Sequence, residues 1–295
     1  WATSSLSPQI TSSLIDNKII TPYSFRPQGH DIIRTWAFYT IVKSLYEENK
    51  IPWKELMVTG FVTLGGEKMS KSKGIGLSPD KIVEEYGADA LRFWSAGSKL
   101  GEDFDYQEKD LLTGKKTITK LWNATNFVFM NLEDYKKQKL KKLEPIDQLF
   151  LNKLNDLIII CTGAFEKYEY SRAKIEVDKF FWNTFTANYL EIVKRRVYKG
   201  SGNKRLSAQY TLHHSLLTIL KLIAPIMPFI TEEIYQKYYK KDEKQSSIHL
   251  EKWPESEKPK DSKDFNLLIK ILTKVRQAKS NAKKPMNSEI LLTIP

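Results

Sequence analysis

An α/β unit built on a parallel sheet, followed by a mostly α-helical bundle, is the fold class this sequence predicts. Three observations lead there. The first hundred residues alternate strand-like, helical and strand-like patterns, which is what a parallel sheet needs. From about Gln107 onward the apolar periodicity is almost exclusively helical. Charge divides the chain at the same place: residues 1–105 carry 12 Lys+Arg and 13 Asp+Glu, leaving 35 and 22 in residues 106–295, so the net charge of +12 belongs entirely to the helical part. Such an asymmetry is the electrostatic footprint of a nucleic-acid-binding module.

Taken in order, residues 1–20 are rich in Ser and Thr and show little helical pattern. Arg26-Pro27-Gln28-Gly29-His30-Asp31 reads as a strand end or loop. Ile33, Ala37, Ile41 and Leu45 recur every four residues and predict a helix from Ile32 to about Glu48, broken by Pro52. Leu56 to Leu64 is β-prone and predicts one buried strand that leads into a lysine-rich loop. Ser78-Pro79-Asp80 is a helix start, with Ser as N-cap and Pro at the first position. That helix runs to Tyr86, Gly87 closes it, and a second short helix follows from Ala88 to about Ala96. Gly97 to Asp105 is a turn-rich acidic connection. Five helices are predicted beyond it, over about 107–132, 146–169, 171–198, 205–238 and 264–282, with Pro225 and Pro228 bending the fourth and a short strand at Ile248-His249-Leu250.

With 295 residues, 41% of them apolar and 12% aromatic, the chain is long enough for a sizeable core and two domains. No uninterrupted apolar run approaches the length needed to span a bilayer, and Trp1-Ala2-Thr3-Ser4-Ser5 lacks a basic and then apolar leader. A soluble, cytoplasmic protein with no membrane partner is the expectation. Cys161 is the only cysteine, which excludes an intrachain disulfide and a thiolate metal cluster. Its apolar setting predicts a buried structural thiol, and no protein-bound metal is expected. The adjacent His213 and His214 point to different helix faces and predict packing rather than metal binding.

Lys68-Met69-Ser70-Lys71-Ser72-Lys73-Gly74, preceded by Gly65-Gly66, alternates ammonium and hydroxyl groups in a backbone free to move. Lysine charges with backbone and hydroxyl donors suit a phosphate-bearing ligand. The composition alone fits a solvated basic loop equally well; the order of residues is more informative. Lys-Met-Ser-Lys-Ser resembles the second signature of the class I aminoacyl-tRNA synthetases. The resemblance implies that Lys68 and Lys71 neutralise charge on departing pyrophosphate and that Ser70 and Ser72 bond phosphate oxygens or shape the loop, with Met69 alongside ATP. It further implies that Gly29 and Asp31 lie on the ribose of ATP, with His30 beside them.

Arg26 to Trp36, Tyr86-Gly-Ala-Asp-Ala-Leu-Arg-Phe-Trp94, Leu121-Trp-Asn-Ala-Thr125 and Ala224-Pro-Ile-Met-Pro-Phe-Ile-Thr-Glu-Glu233 look like the valyl branch of that family. Residues 1–106 are then expected to be the second half of a Rossmann-like catalytic domain with its loop and stem-contact region, and 107–295 an anticodon-binding domain. Trp1, Ile32 and Trp36 match the apolar amino-acid pocket. Such a pocket rejects a hydroxyl-bearing isostere poorly, valine against threonine being the familiar instance, so the full enzyme is expected to carry a second, hydrolytic sieve. The implied partners are ATP with Mg²⁺, valine and tRNA(Val), for a monomer. Lys194, Arg195, Arg196 and Lys199 are the phosphate candidates of the bundle; Phe180, Phe181, Trp182 and Phe185 have the helical spacing of a core.

The sequence departs from the family in one respect. His30, His213, His214 and His249 are its histidines, and none forms the His-x-Gly-His signature of the first half-site. A C-terminal piece of a larger ligase, inactive by itself, is therefore the expectation. An isoleucyl or leucyl relative, or a tRNA-binding factor that has lost catalysis, are the alternatives.

Overall fold

The structure is a computed structural model that describes residues 1–15, 21–69, 76, 78–137, 140, 142–258 and 263–293. Two compact units divide it: residues 1–116 with 164–174, and residues 117–163 with 175–295.

The first unit opens with helix where local composition predicts little. A 3₁₀ turn over Ser4–Leu6 leads into α1, Ser7–Leu14. Pro8 occupies the first turn of α1, and the Ser5 hydroxyl donates back to the Trp1 carbonyl at 2.6 Å. Strand β1, Tyr23–Gly29, pairs in parallel with β2, Trp53–Thr59, with Gly29 opposite Thr59. The intervening helix begins as a 3₁₀ turn over His30–Ile32 and a π turn over Ile33–Ala37 before α2, Phe38–Glu48. Asn49, in the left-handed conformation (φ 52°), ends α2 three residues before Pro52.

The single strand expected over Leu56–Leu64 is two strands in two sheets, half-buried rather than buried. Gly60 separates them because the backbone of Glu102 passes there: a Cβ on Gly60 would lie 2.2 Å from the Glu102 carbonyl oxygen. Strand β3, Val62–Leu64, pairs antiparallel with β4, Glu67–Lys68, and parallel with β5, Phe104–Asp105. Gly65 and Gly66, at φ 60° and 82°, form the two-residue turn of the β3–β4 hairpin. A turn with positive φ at both positions is one that glycines form without strain. The predicted helices follow as α3, Pro79–Tyr86, and α4, Ala88–Ser95, with Gly87 (φ 88°) between them. Ser78 precedes α3 but donates or accepts no side-chain capping bond.

The second unit is helical and holds most of α5, Glu108–Met130, and α6, Pro145–Glu166, the later turns of α7, Tyr170–Lys179, and all of α8, Leu190–Lys199, α9, Gly202–Ile223, α10, Pro228–Ile234, and α11, Lys263–Asn281. A π-helical stretch over Phe180–Tyr189 joins α7 to α8 and turns Phe180, Phe181, Phe185 and Tyr189 into the core. Trp182 instead remains half-buried and donates its indole N–H to the Thr117 hydroxyl. The fourth predicted helix is broken, not bent: Ala224 to Met227 form a turn, and Pro228 starts α10 at a position where its missing N–H costs nothing. Ile248–Leu250 is a 3₁₀ turn rather than a strand, because Ser247 caps it through the His249 amide and Glu232 accepts from both the Ser247 hydroxyl and the Ile248 amide. Cys161 is fully buried and its thiol is pushed up to about 12 by burial, with the charge of Glu176 adding to it.

Asp147, in the first turn of α6 and wholly buried, is the polar centre of this bundle. Its carboxylate accepts from the Tyr189 hydroxyl at 2.7 Å, from the Ser207 hydroxyl and from both terminal nitrogens of Arg196, while the Tyr189 ring stacks on Phe150 at 3.7 Å. Every oxygen of the buried charge is thus answered, which is the condition under which such a group is tolerated. Replacing Asp147 by Ala strands the Arg196 guanidinium and is expected to cost about 3–5 kcal/mol; denaturant unfolding of the variant checks this, and a loss below about 1 kcal/mol would show the network to be peripheral.

Candidate active site and nucleic-acid interface

The candidate active site lies where β1 ends. Gly29 closes the strand, and a Cβ there would come 2.8 Å from the Asp31 carboxylate, so glycine lets Asp31 fold back over the strand end. His30 packs its ring 4.4 Å from that of Phe61. From the β3–β4 hairpin, Lys68 reaches the same point: its ammonium is 3.5 Å from Asp31 Oδ2 and 3.5 Å above the Phe61 ring. Both partners are about half exposed, so solvent screening leaves their attraction weak and easily exchanged for another ligand. Met69 is half-buried and its amide faces the Val62 carbonyl. Ser70, Lys71 and Ser72 lie outside the described residues.

The acidic connection that reads as a simple turn anchors this hairpin. Asp105 Oδ1 accepts from the Thr63 hydroxyl at 2.7 Å and the Gly66 amide at 3.0 Å, and Asp103 accepts from the Phe61 amide at 2.7 Å. The Gly66 amide, then the Thr63 hydroxyl, hold the Asp105 carboxyl below its ordinary range. Neither aspartate, nor Phe61, carries a sequence signal beyond three acids in four residues at Glu102 to Asp105.

Trp1, Ile32 and Trp36 all belong to the first unit but pair differently. The Trp36 indole N–H donates to the Ser4 carbonyl at 2.7 Å, while its ring carries the Arg26 guanidinium, which also lies 4.5 Å from the Trp53 ring. Burial lowers Arg26 to about 10, and it remains charged at neutral pH. Trp1 is largely exposed and tilts against Tyr39; Ile32 is half-buried. The four-residue spacing of Ile32 and Trp36 does not have its α-helical meaning here, since a π turn intervenes.

In the second unit the four basic candidates separate. Arg196 is corrected: its fork is committed to Asp147, which removes it from the phosphate-binding set. Lys194 pairs with Glu191 at 2.6 Å and lies 5.7 Å from the Phe127 ring centre. Arg195 and Lys199 are exposed on α8. Beside them Tyr198, 58% exposed, meets Phe127 of α5 edge to face at 6.2 Å. An exposed tyrosine backed by a half-buried phenylalanine, with cations alongside, is the kind of surface on which unpaired bases stack. Tyr198 stands in Arg195-Arg196-Val197-Tyr198-Lys199, where the sequence already interleaves base with an aromatic, whereas Phe127 carries no such signal.

Among the described residues no three His, Cys, Asp or Glu side chains converge as a metal site would require, and no helix is long and apolar enough to cross a membrane.

Two family profiles match the chain: one described as tRNA synthetases class I (I, L, M and V), over residues 1–107, and one described as the anticodon-binding domain of tRNA ligase, over residues 147–294, half of the chain. The chain belongs to the class I tRNA ligase family. Relatives include the valine–tRNA ligases of Rickettsia prowazekii, 46% identical over 85% of this chain, and of Ehrlichia ruminantium strain Gardel, 42% identical over 98%. Those alignments cover 33% and 37% of the relatives, so the chain spans about a third of their length. The fold resembles LeuRS of Agrobacterium radiobacter K84, solved in a ternary complex with tRNA and LeuAMS, with a TM-score of 0.64 and 19% identity over 85% of this chain and 32% of that one.

Replacing Asp105 by Ala is expected to release the Gly66 amide, measured as faster hydrogen exchange there, and to fray the β3–β4 hairpin. The depressed carboxyl contributes stability above its unfolded value of about 3.9 and loses it as pH falls through its lower folded value. The protection factor of the Gly66 amide, referred to the intrinsic exchange rate at each pH, is therefore expected to fall in the parent protein as acid protonates Asp105, and protection unchanged by both acid and the substitution would contradict the anchor.

Proposed function

We propose that this chain is the C-terminal part of a valine–tRNA ligase, contributing the second half of the adenylation site and the tRNA-binding bundle. In the whole enzyme the valine carboxylate attacks the α-phosphorus of ATP, the bond to the β-phosphate bridge breaks, and pyrophosphate leaves. A terminal ribose hydroxyl of tRNA(Val) then takes the valyl group from the adenylate and AMP departs. Mg²⁺ enters with ATP as part of the substrate.

The observation that carries this reading is the meeting of Lys68 with Asp31 at the carboxyl end of a parallel pair of strands, where α/β sheets bind their ligands. Asp31 accepts from the ribose hydroxyls and His30 packs beside them. Lys68 and Lys71 meet the charge that develops on pyrophosphate, with Ser70, Ser72 and Met69 shaping the loop. Charge stabilisation and positioning, rather than covalent chemistry, are what this displacement asks of a protein. Trp1, Ile32 and Trp36 form one side of the valine pocket, and Lys194, Arg195 and Lys199 with Tyr198 and Phe127 bind tRNA. The names of the relatives favour valine over the isoleucyl and leucyl alternatives. The protein acts as a cytoplasmic monomer.

ATP–pyrophosphate exchange by the full-length enzyme with valine against isoleucine tests the substrate; faster exchange with isoleucine would overturn it. Lys71→Ala is expected to slow exchange by about 100-fold or more with little change in tRNA affinity, and equal losses in both would contradict its role. Tyr198→Ala is expected to cost about 1–3 kcal/mol of tRNA binding. Lys199→Ala is expected to reduce the slope of log affinity against log salt by about 1; unchanged binding in both variants would reassign the surface.

A further inference from the structure

Arg26, on β1, is 8% exposed, yet among the described residues no ion pair answers its charge. Nη1 reaches the Thr40 hydroxyl only at 3.5 Å, and Nη2 has no hydrogen-bond partner among the described residues. A buried cation held this way is costly, and an apolar side chain of similar volume is often tolerated as well or better in such a place. What the guanidinium does meet is aromatic: it lies over the Trp36 ring, with the Trp53 ring 4.5 Å away. Cation–π attraction offsets part of the cost. Stability by itself does not call for an arginine there.

Trp36 is the residue that gains. Its indole N–H donates to the Ser4 carbonyl at 2.7 Å, its own carbonyl accepts from the Thr40 hydroxyl at 2.6 Å, and its ring is covered by Arg26. The bond to Ser4 fixes one edge of the indole but leaves the ring free to swing about that edge. A flat guanidinium against the ring removes the swing, because two stacked planes share one tilt. Trp36 also sits in the π turn over Ile33–Ala37, a departure from α-helix that recurs at functional sites. Arg26 is buried, so the part of the half-buried ring that a ligand meets is the part the guanidinium leaves uncovered.

We infer, resting on the proposed place of Trp36 in the amino-acid pocket, that Arg26 is a positioning residue for substrate selection: its guanidinium sets the tilt of Trp36, and with it the depth of the wall that meets the substrate's side chain. It acts through Trp36 rather than on the substrate. An apolar pocket separates side chains that differ by one methylene by about 10- to 200-fold. A wall free to swing admits the larger one and gives up part of that ratio.

ATP–pyrophosphate exchange by the full-length enzyme tests this with two variants. Arg26→Met removes the charge and the plane, and Arg26→Lys keeps the charge but not the plane. Both are expected to raise the KM for valine about tenfold, to leave the KM for ATP within about twofold, and to narrow the valine-over-isoleucine ratio of kcat/KM about tenfold. Arg26→Met is expected to unfold at no lower temperature than the parent, since it removes an unanswered buried charge. In a Trp36→Leu background it should add little to either kinetic change, because the wall it orients is gone. Full rescue by lysine would assign the effect to charge and overturn the inference. Equal rises in both KM values with a lower unfolding temperature, unchanged selectivity, or fully additive losses with Trp36→Leu would overturn it too. Faster exchange of the parent enzyme with isoleucine refutes the valine reading and not this one, which is then read on the KM for isoleucine.

Discussion

An ammonium and a carboxylate meet at 3.5 Å over the open end of two parallel strands, and the rest of the first unit exists to bring them there. Asp31 arrives because Gly29 ends β1 without a side chain to obstruct it. Lys68 arrives because a two-glycine turn reverses the chain and Asp105 fastens that turn to β5. Neither group is buried, so the contact adds little to stability. Its weakness leaves both charges available to another partner. The Phe61 ring beneath Lys68 and beside His30 holds both side chains at the strand end.

In the bundle the rule is reversed. Charge is distributed over the surface, but a fully buried carboxylate, Asp147, consumes an arginine that would otherwise read as part of a basic binding face. Lys194 is drawn toward Glu191 in the same way. A helix counted as offering four cations therefore presents Arg195 and Lys199 most openly, with Tyr198 between them. The net charge of the chain, +12, measures attraction at long range; which side chains reach a partner depends on what the core has already claimed.

Much of this was legible in the residues, and the failures have identifiable causes. The parallel strand–helix–strand order, the helix from Pro79 to Tyr86 and the limits of most bundle helices follow from period and punctuation alone. Local propensity misread residues 4–14, where Ser hydroxyls turn back on preceding carbonyls and helix forms despite a loop-like composition. It joined two strands at Gly60, because the passing Glu102 backbone is a tertiary fact with no local trace. It made a strand of Ile248–Leu250, overlooking the capping serine and a glutamate fifteen residues upstream. At the site, motif order supplied Gly29, Asp31 and Lys68, while Asp103, Asp105 and Phe61 are visible only when β5 returns beside β3. The π turns at Ile33–Ala37 and Phe180–Tyr189 are likewise unreadable from a period of 3.6, and both redirect aromatic side chains.

The central claim is that Asp31 and Lys68 act on one nucleotide from the two sides of the strand end. A double-mutant cycle of Asp31→Asn and Lys68→Met in the full-length enzyme, followed by ATP–pyrophosphate exchange, tests it most directly. Coupled losses, with the double variant well short of the product of the two single effects, are predicted, because each residue loses part of its purpose without the other. Fully multiplicative losses, or no loss from either substitution, would contradict a shared nucleotide at that point.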